Sequence, residues 1–502
     1  MKRRLFALFL MLCLVLSCIG CSKEEPKTEP PKEGPKLSIK VNDHELTNVM
    51  LNYYYVDAIH EYVNQYGNYL QWFGIDPNKP LDDQVYEKES GKTWADYFLD
   101  NATNSAKITY ALYDAAAKVN HSLTKVESDA LVQLLDNIES FAKANGFQSA
   151  DDYLISVYGN NASFESYVDY YEILLTASSY YSAYAQRLYD SYTEEALRQF
   201  EGDETYKYNS YSYANVYLER KNFDSDDALT QAAQSLAIAD NNSVEKLNAA
   251  VETMEKTQNP DKTTFTTANI AKDQLYSKIN SEMQDWVRDS QRKDGDITFL
   301  KRVTKATDAS GKEVETLTGY YIVLFQGVND NQYPLANVRH ILAKFEGGTT
   351  NVTTGQKVYT DAEKKKAKEE AEKIYTEWLN GAKTEESFAE LAKKYTDDGN
   401  GDVGGLYENV FPGQMVTTFN DWCFGDRKSG DHGIVETEFG YHIMYYSGDS
   451  KTTYRDYMVK GEKQSADVEA WMKALTEVTT LQIIDTDCIN KDYIISPSQT
   501  KA

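Results

Sequence analysis

Between residues 46 and 200, apolar and aromatic side chains recur at three- and four-residue spacing, as around Ile108, Leu112, Ala115 and Ala116. That period predicts helices with one buried stripe. Gly74-Ile75-Asp76-Pro77 and Gly159-Asn160-Asn161 interrupt it, and Thr124 three residues before Glu127 predicts a capping box at a helix start. Leu37-Ser38-Ile39-Lys40-Val41 instead alternates as a strand does, before a turn at Asn42-Asp43. From residue 331 the pattern becomes mixed. A strand over 338–345 leads through a glycine-rich loop to a helix from Asp361, with Ala367, Ala371, Ile374 and Trp378 on one face. Phe388, Leu391, Ala392 and Tyr395 mark a second helix. A third covers 417–424, and a strand over 441–446 closes a small α+β unit. Val468, Trp471, Leu475 and Val478 predict one further helix near the end of the chain.

An internal repeat runs through the second half. Asp421-Trp422 followed by Arg427-Lys428-Ser429-Gly430-Asp431 is echoed by Asp285-Trp286 followed by Arg292-Lys293-Asp294-Gly295-Asp296. Phe439-Gly440-Tyr441-His442-Ile443 is echoed by Thr318-Gly319-Tyr320-Tyr321-Ile322, and a strand at 211–218 echoes the one at 338–342. Residues 205–330 are therefore expected to be a diverged copy of the module at 331–450. The first copy contains no histidine, and Tyr321 stands where the second has His442.

The start of the chain changes the picture of where it works. Lys2, Arg3 and Arg4 precede an apolar run over 5–20 that is short for a membrane span, a signal-peptide layout. Cys18-Ile19-Gly20-Cys21 resembles a lipobox, with Val15-Leu16-Ser17-Cys18 as a rival cut site. A diacylated Cys21 would anchor the chain stably, since two acyl chains hold where one does not. Residues 22–36 (SKEEPKTEPPKEGPK) have no apolar side chain beyond proline and are expected to form an extended tether. The net charge of −26 argues against nucleic acid as a partner. Beyond the signal and the anchor only Cys423 and Cys488 remain, too few for a disulfide framework, and both are expected as buried thiols, with a bridge between them as the alternative. The 39 tyrosines suit either protein-contacting surface or aromatic core. His44, His60 and His121 are too scattered for a metal site, and His432 reads as a loop residue.

Four motifs in order carry the chemistry. Asn337-Val338-Arg339-His340-Ile341-Leu342 resembles the first-strand motif of the parvulin-type (PpiC-like) peptidyl-prolyl cis–trans isomerases. The stretch from Ser387 to Asp398 resembles the family's helix and acidic loop. Gly413-Gln414-Met415-Val416-Thr417-Thr418-Phe419 and Phe439-Gly440-Tyr441-His442-Ile443 are similar to its last two signatures. The resemblance covers roughly a quarter of the chain.

It implies a site of His340 and His442 as a central pair, Asp398 near the prolyl carbonyl, and Thr437 as a hydroxyl partner of the pair. Leu406, Met415 and Phe419 would form the apolar pocket for the proline ring, with Phe439 at its edge. Gly404-Gly405-Leu406-Tyr407 departs from the family's commoner Gly-Asp-Leu-Gly pattern around Leu406. Without their motifs, Met415 and Phe419 would read as plain core, and Asp397-Asp398 as turn chemistry. No cofactor or metal is implied.

The layout also looks like the extracytoplasmic foldase lipoproteins and related periplasmic chaperones. That likeness implies a signal and lipobox over 1–21, a tether over 22–36, and a helical chaperone-like domain over 37–204. A diverged parvulin-like copy (205–330), the isomerase domain (331–450) and a segment over 451–502 that packs on the helical domain complete it. The implied partners are unfolded client proteins with X-Pro bonds, together with the bacterial membrane on its extracytoplasmic face through the lipid. The implied function is a membrane-anchored foldase. The alternative is a non-catalytic holdase that uses the parvulin fold as a scaffold.

Overall fold

Helices in the N-terminal region begin where a side chain can accept from the exposed N–H groups of the first turn. The computed structural model describes residues 34–307, 311–351 and 355–495. The signal-like stretch with Cys21, and the tether up to residue 33, lie outside them. Thr47 caps Asn48–Tyr66, Thr93 and Asp96 form a capping box on Trp94–Lys118, and Thr124 and Glu127 form the one expected on Lys125–Ala144. Ala150–Tyr158 and Phe164–Ser191 follow. A short hairpin, Val85–Glu87 with Lys92–Thr93, interrupts the helical region, a feature the periodicity does not announce.

The chain divides into two compact units, residues up to Tyr192 together with those from Gln464, and Thr193–Lys463. In the first, Tyr53, Tyr55, Tyr153, Tyr167 and Tyr170 lie among the largest fully buried side chains, so much of the tyrosine serves the core. Two hydroxyls of this core converge on one carboxylate: Tyr158 and Tyr170 donate to Asp57 at 3.0 and 2.8 Å. The end of the chain belongs to this unit. Leu481–Ile483 pairs with Leu37–Val41, and Val468 and Met472 pack with Leu112, Ala116 and Tyr180. Val478, expected on that buried face, is instead exposed.

The second unit holds two four-stranded antiparallel sheets with related connections. The first runs β1 (Ser210–Glu219), α1 (Asp226–Leu236), α2 (Val244–Gln258), β2 (Asn269–Leu275), α3 (Ser281–Val287), β3 (Ile297–Thr307) and β4 (Glu313–Asn329). The second runs β5 (Pro334–Lys344), α4 (Asp361–Leu379), α5 (Glu385–Tyr395), β6 (Leu406–Val410), α6 (Thr417–Cys423), β7 (His432–Glu436) and β8 (Gly440–Thr453). The strand orders are β2-β1-β4-β3 and β6-β5-β8-β7. Both follow one plan, in which the first and last strands of the run lie side by side at the centre.

The repeated turn explains part of this likeness. In the first sheet Gly295 N–H donates to Phe325 O and Phe325 N–H to Asp296 O, at 3.0 and 2.8 Å. In the second, Gly430 donates to Tyr446 O and Tyr446 to Asp431 O, both at 2.8 Å. The glycines sit at φ 88° and 92°, a conformation that a side chain would strain. Arg292 lies over Trp286 and donates to its carbonyl, and Arg427 does the same with Trp422. The chain is α+β. His432, read above as a loop residue, opens β7 instead: it pairs with Tyr445 and its ring packs 4.7 Å from Trp378. The Asp-x-Gly around it looked like a turn, but the turn ends one residue earlier, at Asp431.

Candidate active site

Strand alternation sends neighbouring residues of β5 to opposite faces. Ile341 and Ala343 turn toward α4 and α5, where they pack with Ala371, Ile374, Trp378 and Phe388. Val338 faces the other way, onto the cluster that holds Phe419, Cys423 and Met444, and His340 shares that face. On β8, Met444 pairs with His340 and His442 with Leu342, so the two histidines meet across adjacent central strands. The candidate site lies between this face and α6.

His340 and His442 are 2 % and 6 % exposed, and their Nδ1 atoms are 3.0 Å apart. His340 Nε2 lies 3.1 Å from Asp398 Oδ2, and Thr437 Oγ1 lies 2.9 Å from His442 Nε2. The His340 hydrogen bond, opposed in part by burial and helped by the Tyr407 hydroxyl, holds the Asp398 carboxyl well below the usual range. Burial, and then the neighbouring His340, push His442 down to about 3, so its ring is neutral at pH 7. The state of Asp398 fixes the first proton. An ionised Asp398 only accepts, so His340 Nε2–H donates to it. His442, neutral, faces His340 through its Nδ1 and Thr437 through its Nε2, so one proton is shared between the two Nδ1 atoms. Phe439 N–H in turn donates to Thr437 Oγ1 at 3.1 Å.

Phe419 stands edge-on to both imidazoles, 5.3 Å from His340 and 5.4 Å from His442. Met415 packs into the same cluster, and Phe439 is half-exposed at the rim. Asp397 and Asp398 divide the work of their loop. Asp397 ties the loop to β5, its N–H donating to Leu342 O and its carboxylate accepting from Lys344 N–H, while Asp398 reaches the histidine. Gly405, at φ 70°, lies so close to β5 that a Cβ would meet His340 O at 2.2 Å. Its carbonyl accepts from His340 N–H at 2.9 Å. Cys423 is a buried free thiol pushed up to about 12 by burial, and Cys488 is a half-buried free thiol in the other unit.

Leu406 is not brought to this cluster. It pairs with Arg339, whose guanidinium turns to Glu385 at 2.8 Å on the helix side of the sheet. Tyr407 pairs with Val338 and therefore shares the face of His340. Its ring stacks on His340 at 5.1 Å and 17°, and its hydroxyl donates to Asp398 Oδ2 at 2.7 Å. The sequence held one signal for this, the irregular Gly-Gly-Leu-Tyr, but which residue faces inward depends on the β5–β6 register.

Carrying the strand pairings to the first sheet gives a different set of side chains. Asn215 pairs with Val323 as His340 does with Met444, which puts Tyr321 at the place of His442. Arg302, opposite Gly319, stands at the place of Thr437. Its guanidinium lies over the rings of Tyr217 and Tyr321.

Residues 320–448 match the family model of the PPIC-type PPIase domain. Among solved structures the chain is similar to the peptidylprolyl isomerase PrsA from Bacillus cereus, at 23% identity over 32% of this chain and 56% of that one, with a TM-score of 0.19. PrsA from Bacillus subtilis gives 22% over 31% and 54% with a TM-score of 0.20, and PrsA from Bacillus anthracis 21% over 30% and 59% with 0.19. This chain thus spans little more than half the length of each, and scores of this size say nothing about its activity. No curated protein matches the sequence.

Proposed function

We propose that this chain, which carries a parvulin-type peptidyl-prolyl isomerase domain within residues 320–448, catalyses cis–trans exchange at X-Pro bonds of extracytoplasmic client proteins. The observation that carries the reading is the chain of hydrogen bonds from Asp398 through His340 and His442 to Thr437, laid beneath Phe419 and Met415.

The chemistry asks for little more. Rotation about a peptide bond faces a barrier of about 18–20 kcal/mol, and an X-Pro bond leaves cis and trans close in energy. The twisted amide loses its resonance and with it some polarity at the carbonyl oxygen. A pocket that grips the proline ring by apolar contact, and offers the carbonyl few donors, favours that state over the planar one. Here Asp398, Thr437 and both histidines are hydrogen-bonded to one another, so the site floor is shaped and polar without being aimed at the carbonyl. Each tenfold gain in rate asks for about 1.4 kcal/mol. The role assigned to the histidines is to set the shape of the site, with no covalent step.

Residues 205–330 are read as a diverged, inactive copy of the same module, supported by the common strand plan and the matching turn. The helical unit is read as the part that holds clients. Its cavity of about 640 Å³, lined by Tyr54, Tyr62, Tyr66, Phe98, Asp57 and Met472 among others, suits apolar and aromatic side chains of an unfolded segment. The histidine-free first copy favours a second reading, that of a holdase in which the parvulin fold is scaffold.

Anchoring through Cys21 rests on the lipobox-like sequence. Among the described residues no helix is long and apolar enough to cross a membrane. Cys21→Ser should move the chain from the membrane fraction to the soluble one, and retention on the membrane would refute Cys21 as the anchor. The activity is tested by adding the purified full chain to a short unphosphorylated X-Pro peptide and following its exchange. Acceleration lost in His340→Ala supports the enzyme, and no acceleration from the folded chain favours the holdase.

A further inference from the structure

Two donors converge on one oxygen of the site, and only one of them belongs to the histidine pair. Asp398 Oδ2 accepts from His340 Nε2 at 3.1 Å and from the Tyr407 hydroxyl at 2.7 Å. Tyr407 reaches that oxygen from β6 while its ring lies on the face of His340, with 17° between the planes. One side chain therefore restrains both partners of the Asp398–His340 bond. His340 cannot swing without unstacking from Tyr407, and Asp398 cannot turn toward the open side without losing the phenol. The phenol is a dependable donor, since burial and the adjacent carboxylate push it up to about 12. Charge-assisted hydrogen bonds of this length are among the stronger ones.

The arrangement is confined to the module that holds the histidines. In the first sheet the position opposite Tyr213, matching that of Tyr407 opposite Val338, is Ala271. Histidine pair and tyrosine are absent there together.

We propose that Tyr407 is a positioning residue of the prolyl site: its hydroxyl pins Asp398 and its ring pins His340, which fixes the imidazole tautomers from Asp398 to Thr437. The inference rests on the isomerase reading only for its kinetic consequence. The tautomer claim is read independently of turnover.

The test uses the full chain with 15N-labelled histidine, together with Tyr407→Phe and Tyr407→Leu. In the wild type the His340 ring should show a protonated Nε2, bonded to Asp398, as a single form. Tyr407→Phe keeps the stack and removes the donor. It should give a mixed His340 tautomer and a three- to tenfold lower kcat, with KM within twofold. Tyr407→Leu, which also removes the stacked ring, should lower kcat further and raise KM. Wild-type His340 spectra and kcat in Tyr407→Phe would overturn the proposal. An inactive wild type that still loses its single tautomer in Tyr407→Phe would refute the isomerase reading and leave Tyr407 in its role. If Tyr407→Phe does not fold, Asp398→Asn probes the same link, and an unchanged His340 spectrum there would also overturn it.

Discussion

The two sheets of the second unit share a strand order, a tryptophan-arginine corner and a glycine turn, yet they present different chemistry on the same face. One offers His340, His442, Thr437 and Tyr407; at matching places the other offers Asn215, Tyr321, Arg302 and Ala271. What both keep is backbone bookkeeping, namely the Gly295 and Gly430 turns and their paired carbonyls. What differs is carried by side chains that a strand presents freely. A fold of this kind holds its shape through turns and helix-facing core, and its chemistry can be exchanged on the open face without disturbing either.

The largest expected effect on activity comes from writing one sheet into the other. His442→Tyr puts the first sheet's residue into the second, breaks the bonds to His340 and Thr437, and should lower kcat/KM by at least tenfold, about 1.4 kcal/mol. A peptide exchange assay reads it. Phe419→Ala should cost about 3–5 kcal/mol of stability, because its 3 % exposed ring fills the space above both imidazoles. A denaturant melt measures that loss.

A pH effect follows from the buried pair. His442 is lowered from 6.5 to about 3 by burial and by His340, so the unfolded chain takes up its proton first as pH falls. Stability from this group is fully present above about pH 6.5 and is lost as pH drops toward 3. Between pH 6.5 and pH 4 the loss should be about 2–3 kcal/mol. His442→Gln should remove that part of the pH dependence, seen as a shallower fall of the second unit's melting midpoint.

A smaller effect is expected from Gly405→Ala. The added Cβ meets His340 O and φ is 70°, which should destabilise by about 1–3 kcal/mol. If the variant is as stable as the wild type, the close β5–β6 approach is not what the glycine serves.

Much of this was legible in the sequence where local rules decide. The Thr124–Glu127 box forms as read, and Ala367, Ala371, Ile374 and Trp378 are the buried face of α4. The motifs named His340, His442, Asp398 and Thr437, and the structure brings them within hydrogen-bond distance of one another. Non-local pairing decided the rest. Leu406 and Tyr407 exchange faces with a one-residue change in register, which no local pattern specifies. The hairpin at Val85–Glu87 has strands too short to alternate visibly. His432 becomes a strand residue only because Tyr445 lies opposite it.

The most direct test of the central claim is the rate of cis–trans exchange in a short unphosphorylated X-Pro peptide, measured by magnetisation exchange with the full chain and with His442→Tyr. The account predicts fast exchange with the wild type and at least a tenfold loss in the variant. Equal rates for the two folded proteins would contradict it, because the face that distinguishes the two sheets would then play no part in catalysis.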